Sequence, residues 1–389
     1  MTPRKPFTVS RRGLQEALSH LPMLSDFGDA QETFDVYVGA SGFEERVLGI
    51  PKHLGRLRSS VAGAVLLGRY KTNQADNQRR ELELIPALDS LGGKTQFFDA
   101  DSPEDTRRAI VAALGEYAGP APIRTLFDIS GASSTLIFSV IAALTRLDTS
   151  VRLTIGYSCA VNYHDPGSET QNRPMDQWPI SHLRETGVSD VVTNELYRGI
   201  HHDHLPGFVV ALPSMYTARL QRCLSHLGVG PYSGATGHGN VYWILPMTTD
   251  EDHRWRQNAV RDAITFLMFD APVSADINGN DLAPDVHTYC DIWDYTSCLR
   301  HVIEQIDRQE GANSSVIHMG TKIQAIGVAL AALGRPEVSL VSARPGSFAA
   351  QTYSDGIGSM HRIDIDNLQM VVRLVSEIGM LDVISVDRG

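Results

Sequence analysis

RTLFDISGASSTLIFSVIAAL (124–144) and SSVIHMGTKIQAIGVALAAL (314–333) are written to one plan. In each, a short β-prone run stops at a small-residue turn and resumes as an apolar, alanine-rich segment of helical length. At an offset of 189, Gly131 falls on Gly320, and Ala142, Ala143 and Leu144 fall on Ala331, Ala332 and Leu333. A strand–turn–helix written twice governs how the rest is read, because an overlooked repeat misassigns the whole fold.

The correspondence extends outward. FDVYVGASGFEERV (34–47) matches GFVVALPSMYTARL (207–220), setting Ser41 on Ser214, Phe43 on Tyr216, Arg46 on Arg219 and Val47 on Leu220. AGAVLLGRY (62–70), with the polar helix pattern after it, has its counterpart from Asn240 onward. GKTQFFDADSPEDTRRAIVAAL (93–114) matches DVHTYCDIWDYTSCLRHVIEQI (285–306), with Asp99 on Asp291, and VRLTIGYS (151–158) matches EVSLVSA (337–343). The offset drifts along the chain, as insertions in surface loops produce.

The apolar runs are nearly continuous rather than alternating, as in parallel strands buried on both faces. Alternation with helical segments predicts right-handed crossovers and open, doubly wound sheets. The expected fold is α/β: two tandem Rossmann-like parallel-sheet units forming a pseudo-dimer. Residues 1–33 read as an N-terminal arm with a short helix around Arg12 to Leu21. The first unit is expected over 34–165 and a connector over 166–206. The second unit, over 207–389, carries a C-terminal extension that adds a helix and an edge strand.

Composition bounds the function. The 389 residues include 42% hydrophobic and 20% charged residues, proportions of a globular chain with room for about two domains. A net charge of −11 argues against a broad duplex-binding face, which needs clustered Lys and Arg, but permits a small anion held by local cations. Cys159, Cys223, Cys290 and Cys298 form no C-x-x-C pair, so neither a zinc knuckle nor a disulfide framework is expected. No metal or other cofactor is implied. The basic N-terminus lacks an apolar h-region, and the longest apolar stretch, about Leu136 to Leu144, is too short for a bilayer. The expectation is a soluble cytoplasmic protein without a membrane partner.

Ligands of open parallel sheets sit beyond the carboxyl ends of the strands, where turns lead into helices. Four turns qualify: GASGFEER (39–46), DISGASST (128–135), LPSMYTAR (212–219) and HMGTKIQ (318–324). None is a G-x-G-x-x-G or G-x-x-x-x-G-K-[ST] motif, so NAD or ATP does not follow by motif. In HMGTKIQ, Gly320 allows a tight turn, Thr321 can cap the helix or contact a phosphate, and Lys322 supplies charge at its mouth. In DISGASST, Gly131 and the hydroxyls of Ser130, Ser133, Ser134 and Thr135 can bind a sugar or phosphate, or satisfy their own backbone. Ser41 and Ser214 sit at matching strand ends. Arg46 and Arg219 can reach an anion from either side of a pseudo-twofold axis, or form ion pairs; Arg69, Lys71 and Arg344 are further strand-end cations.

Asp128, His318, Glu44 and Ser130 are the candidates for acid/base or nucleophilic roles, although no recognised catalytic constellation is present. Glu44 and Glu45, which open the first expected helix, point about 100° apart, so they form no shared dyad. His201, His202, Asp203 and His204 lie in the polar connector without metal-ligand spacing. QTYSDGIG (351–358) follows the last strand of the second unit and reads either as a cover over that half's pocket or as a surface loop.

Two Rossmann-like units with Gly320, Thr321 and Lys322 ahead of a helix, and Ser41 and Ser214 at strand ends, resemble the CARF and SAVED class of nucleotide sensors of prokaryotic antiviral defence. The resemblance covers roughly residues 34–360 as architecture. In CARF domains a Gly-Gly-Thr-Lys-like turn helps cradle a cyclic oligonucleotide; here Met319 stands at the first glycine and the first half has GASS in place of GTK. The resemblance implies a regulatory subunit that senses a nucleotide-derived anion, with effector activity in a partner protein. A nucleotide hydrolase or ring nuclease on the same scaffold, and an assembly subunit of a defence complex, are the alternatives.

Overall fold

A computed structural model describes residues 14, 18–115, 121–163, 185–230, 240–269, 286–309 and 311–377. Half of the helix expected in the arm lies outside them. The strands are β1 Ser25–Asp26, β2 Thr33–Ser41, β3 Ser60–Arg69, β4 Lys94–Asp99, β5 Ile123–Asp128, β6 Val151–Ser158, β7 Glu185–Arg198, β8 Gly207–Leu212, β9 Val241–Met247, β10 His287–Asp291, β11 Asn313–His318, β12 Ser339–Phe348 and β13 Met360–Ile365. The helices are α1 Gly49–Arg56, α2 Gln74–Asp89, α3 Pro103–Leu114, α4 Ser134–Thr145, α5 Thr217–His226, α6 Arg254–Phe269, α7 Tyr295–Arg308, α8 Lys322–Gly334 and α9 Leu368–Glu377.

The parallel strands of the first sheet run β6-β5-β2-β3-β4, and those of the second run β12-β11-β8-β9-β10. Counted within each unit, both orders are 3-2-1-4-5, the doubly wound arrangement. The two halves share local detail as well. At the end of β4, Asp99 accepts a bond from the Asp101 amide at 2.9 Å, and at the end of β10 Asp291 accepts one from the Trp293 amide at 2.8 Å. Three residues beyond each aspartate stands the N-cap of the next helix, Ser102 or Asp294.

Neither sheet is purely parallel. The first gains β13 antiparallel to β6, with β1 beyond it, and the second gains β7 antiparallel to β12. Chain order and sheet membership therefore cross. The strand from the connector joins the second sheet, and the strand after the second unit joins the first.

Alternation along the strands distributes them among three apolar cores. Val36 and Val38 of β2, and Phe208 and Val210 of β8, enter one continuous core with residues of α3, α4, α7 and α8. Tyr37, Val65 and Leu67 turn the other way, onto α1 and α2. Val209, Ala211 and Trp243 turn onto α5 and α6. Strands covered on both faces can be apolar throughout, which accounts for the unbroken runs in the sequence. The shared core is why α4 and α8 have almost no polar face: Leu136–Leu144 and Ile323–Ala332 are buried throughout.

Candidate functional site

At the centre of each sheet's carboxyl edge a turn leads into a buried helix. β5 ends at Asp128 and α4 begins at Ser134; β11 ends at His318 and α8 begins at Lys322. Ser133 caps α4, its Oγ accepting from the Leu136 amide at 3.2 Å. Thr321 caps α8, accepting from the Gln324 amide at 3.3 Å, while Gln324 Oε1 accepts from the Thr321 amide at 3.1 Å, a reciprocal capping box. The first-half turn is thus two residues longer, and Ser134 and Lys322 occupy the same first helical position. Glycine is required by close approach to backbone in the first turn, and in the second a larger residue would have to displace the Gln324 side chain of the capping box. A Cβ on Gly131 would stand 2.7 Å from the Ala40 carbonyl oxygen, and one on Gly320 would stand 2.5 Å from Gln324 Oε1.

The equivalent positions reach into each other's half. Ser134 Oγ shares a hydrogen bond with His318 Nδ1 at 2.9 Å, and Lys322 Nζ donates to the Ala132 carbonyl. Thr135 Oγ1 and Ser342 Oγ make a third crossing bond at 3.1 Å. Around these contacts lies a cavity of about 250 Å³ between the units. Its floor is the pair of turns, Gly131–Thr135 and His318–Gly320 with Lys322. The first unit adds Phe43, Glu44, Tyr70, Asn77 and Asp101; the second adds Glu185, Arg219, Arg344, Phe348 and Tyr353.

Most charges in this wall are matched. Arg219 makes a two-pronged pair with Glu185, each contact at 2.8 Å, and burial pushes the Glu185 carboxyl up despite that partner. Arg344 donates to the Asp101 carbonyl and lies 3.7 Å from the Asp190 carboxylate. For Glu44, burial works against charge, but Arg46, Lys322 and a hydrogen bond from Ser354 outweigh it and hold the carboxyl low. Lys322 differs: among the described residues no carboxylate lies within ion-pair distance of its ammonium. Burial, reinforced by the Arg46 charge, outweighs the opposing pull of the Glu44 and Asp128 carboxylates and lowers its pKa to about 8. His318, 3% exposed, is lowered to about 3, chiefly by burial, and its Nε2 has no hydrogen-bond partner. The ring is therefore neutral at ordinary pH.

The cavity gathers Glu44, Arg219, Arg344, Gly131, Ser133, Ser134, Thr135, His318, Gly320 and Lys322 from the residues singled out in the sequence. Ser41, Arg46, Asp128, Ser130, Ser214 and Thr321 are outside its lining. Ser41 Oγ donates to Glu81 at 2.6 Å, and Ser214 Oγ accepts from the Tyr216 amide at 3.2 Å. Asp128 accepts from the Tyr37 hydroxyl at 2.8 Å and from the Ser130 amide and hydroxyl at 2.9 and 2.5 Å, so it ties its own turn together. Thr321 Oγ1, besides capping, donates to the Ile292 carbonyl at 2.9 Å. Arg46 pairs with Glu44 at 2.6 Å and donates to the Tyr157 and Tyr163 hydroxyls. It does not mirror Arg219 across the cavity. Glu45 and Arg46 open a short 3-10 turn, Glu45–Leu48, and the α-helix starts only at Gly49.

Arg69 pairs with Glu81 and Lys71 with Asp99, both at 2.7 Å, and neither lines the cavity. His201 bonds Ser339, and among the described residues no group of His, Cys, Asp or Glu could hold a metal ion. The four cysteines are free and buried. No helix among the described residues is long and apolar enough to cross a membrane.

Tyr70, Asn77, Asp101, Glu185 and Phe348 are in the wall without having been signalled by any motif. QTYSDGIG does contribute a cover, through Tyr353, but it fastens to the first unit: Ser354 Oγ donates to Glu44 at 2.7 Å and the Gly356 amide to Glu45 at 3.2 Å. Asn73 is a further brace. It adopts φ 55, and its amide group bonds both the Phe348 carbonyl at 2.8 Å and the Phe348 amide at 2.9 Å. No protein-family model matches the chain, and no curated protein matches it in sequence.

Proposed function

We propose that the protein binds a nucleotide-derived anion, a cyclic oligonucleotide among the candidates, in the cavity between its units and acts as a sensor or regulatory subunit with an effector partner in a defence system. The observation that carries this reading is the position of Lys322. Its ammonium, with no carboxylate within ion-pair distance among the described residues and only the longer-range attraction of Glu44 and Asp128, stands at the first turn of α8 where the start of α4 also converges. A helix start offers unsatisfied amides and a positive partial charge, which favour an anion and disfavour a cation. A lysine held there with only the Ala132 carbonyl as its bonded partner gains most from an oxyanion. Because both halves build the floor, a ligand seated on it would couple them.

A second reading, nucleotide hydrolysis or ring opening, draws on the bond between Ser134 and His318 in the cavity floor. The low proton affinity of His318 weighs against it, since a general base works best with a pKa near the operating pH. Binding is therefore preferred to turnover.

The test is thermal or chemical unfolding with a panel of linear and cyclic nucleotides. A ligand at a hundred times its dissociation constant should stabilise the protein by about 2.7 kcal/mol. Lys322→Ala should abolish that gain. If no nucleotide shifts the transition, or Lys322→Ala leaves the shift intact, the reading falls.

A further inference from the structure

We infer that the cavity is shaped for one phosphorylated unit bearing a single flat ring system, a nucleoside monophosphate in size, with its oxyanion at Lys322 and its ring against Phe43, Phe348 and Tyr353. This rests on the binding reading above and adds size and orientation to it.

Phe43 comes from the turn after β2 in the first unit, whereas Phe348 and Tyr353 come from the end of β12 and the segment after it. Their ring centroids are 5.5 to 5.8 Å apart, with the Tyr353 ring nearly perpendicular to both phenylalanines. All three line the cavity, are only partly buried, and belong to none of the three apolar cores. An aromatic group that takes no share in the core and faces a polar-floored cavity provides a stacking wall, with ring faces and edges that suit a base.

The wall is held in place before any ligand arrives. Asn73 grips the Phe348 backbone through both amide and carbonyl, and Ser354, next to Tyr353, donates its hydroxyl to Glu44. Rings fixed in this way cost a ligand little ordering entropy. The same fastenings limit size. The volume of about 250 Å³ lies just under the roughly 300–1,000 Å³ usual for small-molecule sites. A ring of several nucleotides would have to open the Asn73–Phe348 and Arg344–Asp101 contacts. Asn77 adds a chemical requirement: its Nδ2 donates to the Thr72 carbonyl at 2.9 Å, which fixes the amide, and its Oδ1 is buried without a partner. A ligand with a hydroxyl or amino donor could meet that acceptor.

The experiment is calorimetric titration of the full chain with nucleoside 5′-monophosphates, ribose 5-phosphate, inorganic phosphate and a cyclic trinucleotide. Wild type is compared with Lys322→Gln, Phe43→Leu and Tyr353→Leu; leucine keeps apolar volume while removing the ring. The best monophosphate should bind about tenfold more tightly than ribose 5-phosphate, and each leucine variant should erase most of that advantage. Ribose 5-phosphate should bind those two variants within about twofold of wild type, while Lys322→Gln weakens every phosphate. Tighter binding of the cyclic trinucleotide than of any monophosphate, or unchanged monophosphate affinity in both leucine variants, overturns the inference and leaves anion binding standing. Absence of binding by every compound overturns both.

Discussion

Asp128 and His318 end equivalent strands of two sheets with the same strand order, yet they use their polar atoms in opposite directions. Asp128 turns inward: all three of its hydrogen-bond donors belong to Tyr37 and Ser130 of its own unit. His318 turns outward, to Ser134 of the other unit, and Lys322 four residues on does the same with Ala132. One turn makes itself rigid; the other spans the joint. The comparison shows that matching topology fixes where a site can be, while the residues at the strand ends decide which half supplies structure and which supplies contacts.

Acid titration gives the largest expected effect and sharpens the comparison, because burial moves an acid and a base in opposite directions. Burial lowers His318 from 6.5 to about 3, so its contribution is present above pH 6.5 and is lost as pH falls toward 3, a difference of about 5 kcal/mol. Burial raises Asp128 from 3.8 to about 6, so its contribution is present below pH 3.8 and is lost as pH rises through 6, about 3 kcal/mol with the opposite sign. Urea unfolding across pH 3 to 7 should show wild type minus His318→Gln stability declining toward acid. Wild type minus Asp128→Asn stability should decline toward neutrality. Where the two windows overlap, one proton of each sign is involved and the slopes nearly cancel in the wild type; the wider histidine window leaves its net effect below about pH 4 and above about pH 6. Slopes of the same sign would break the contrast.

The two caps sharpen it on a smaller scale. Ser133→Ala removes one capping bond and should cost about 1 kcal/mol. Thr321→Ala also removes the bond to Ile292 and half of the reciprocal box, and should cost about 2 kcal/mol. Equal costs by denaturant unfolding would mean that the second turn is held no more firmly than the first.

The paired units were legible because burial on both faces leaves unbroken apolar runs, and because Gly131 and Gly320 mark close approaches, to backbone in the first turn and to the Gln324 side chain in the second. The floor of the cavity followed from the same turns. Its walls did not. Tyr70, Asn77 and Glu185 come together through strand order and the joint between units, and no local spacing encodes such proximity. Arg46 and Arg219 illustrate the limit. They align in sequence, and each finds a glutamate, but only Arg219 faces the cavity, because Tyr157 and Tyr163 hold Arg46 aside. The antiparallel strands β7 and β13 were equally obscure in their sheet membership, since nothing in their residues tells which unit they join.

That exchange of outer strands makes the chain indivisible despite its bipartite plan. Severed ahead of β7, the leading fragment would keep β6 but lose β13, exposing a bare row of amide and carbonyl groups inviting adventitious strand pairing. The trailing fragment would carry β13 without its partner β6, and α9 would keep its packing on α8 but lose that on α4. Co-expressed fragments should therefore recover a native-like complex that neither yields alone; a stable, monomeric leading fragment would refute this interdependence.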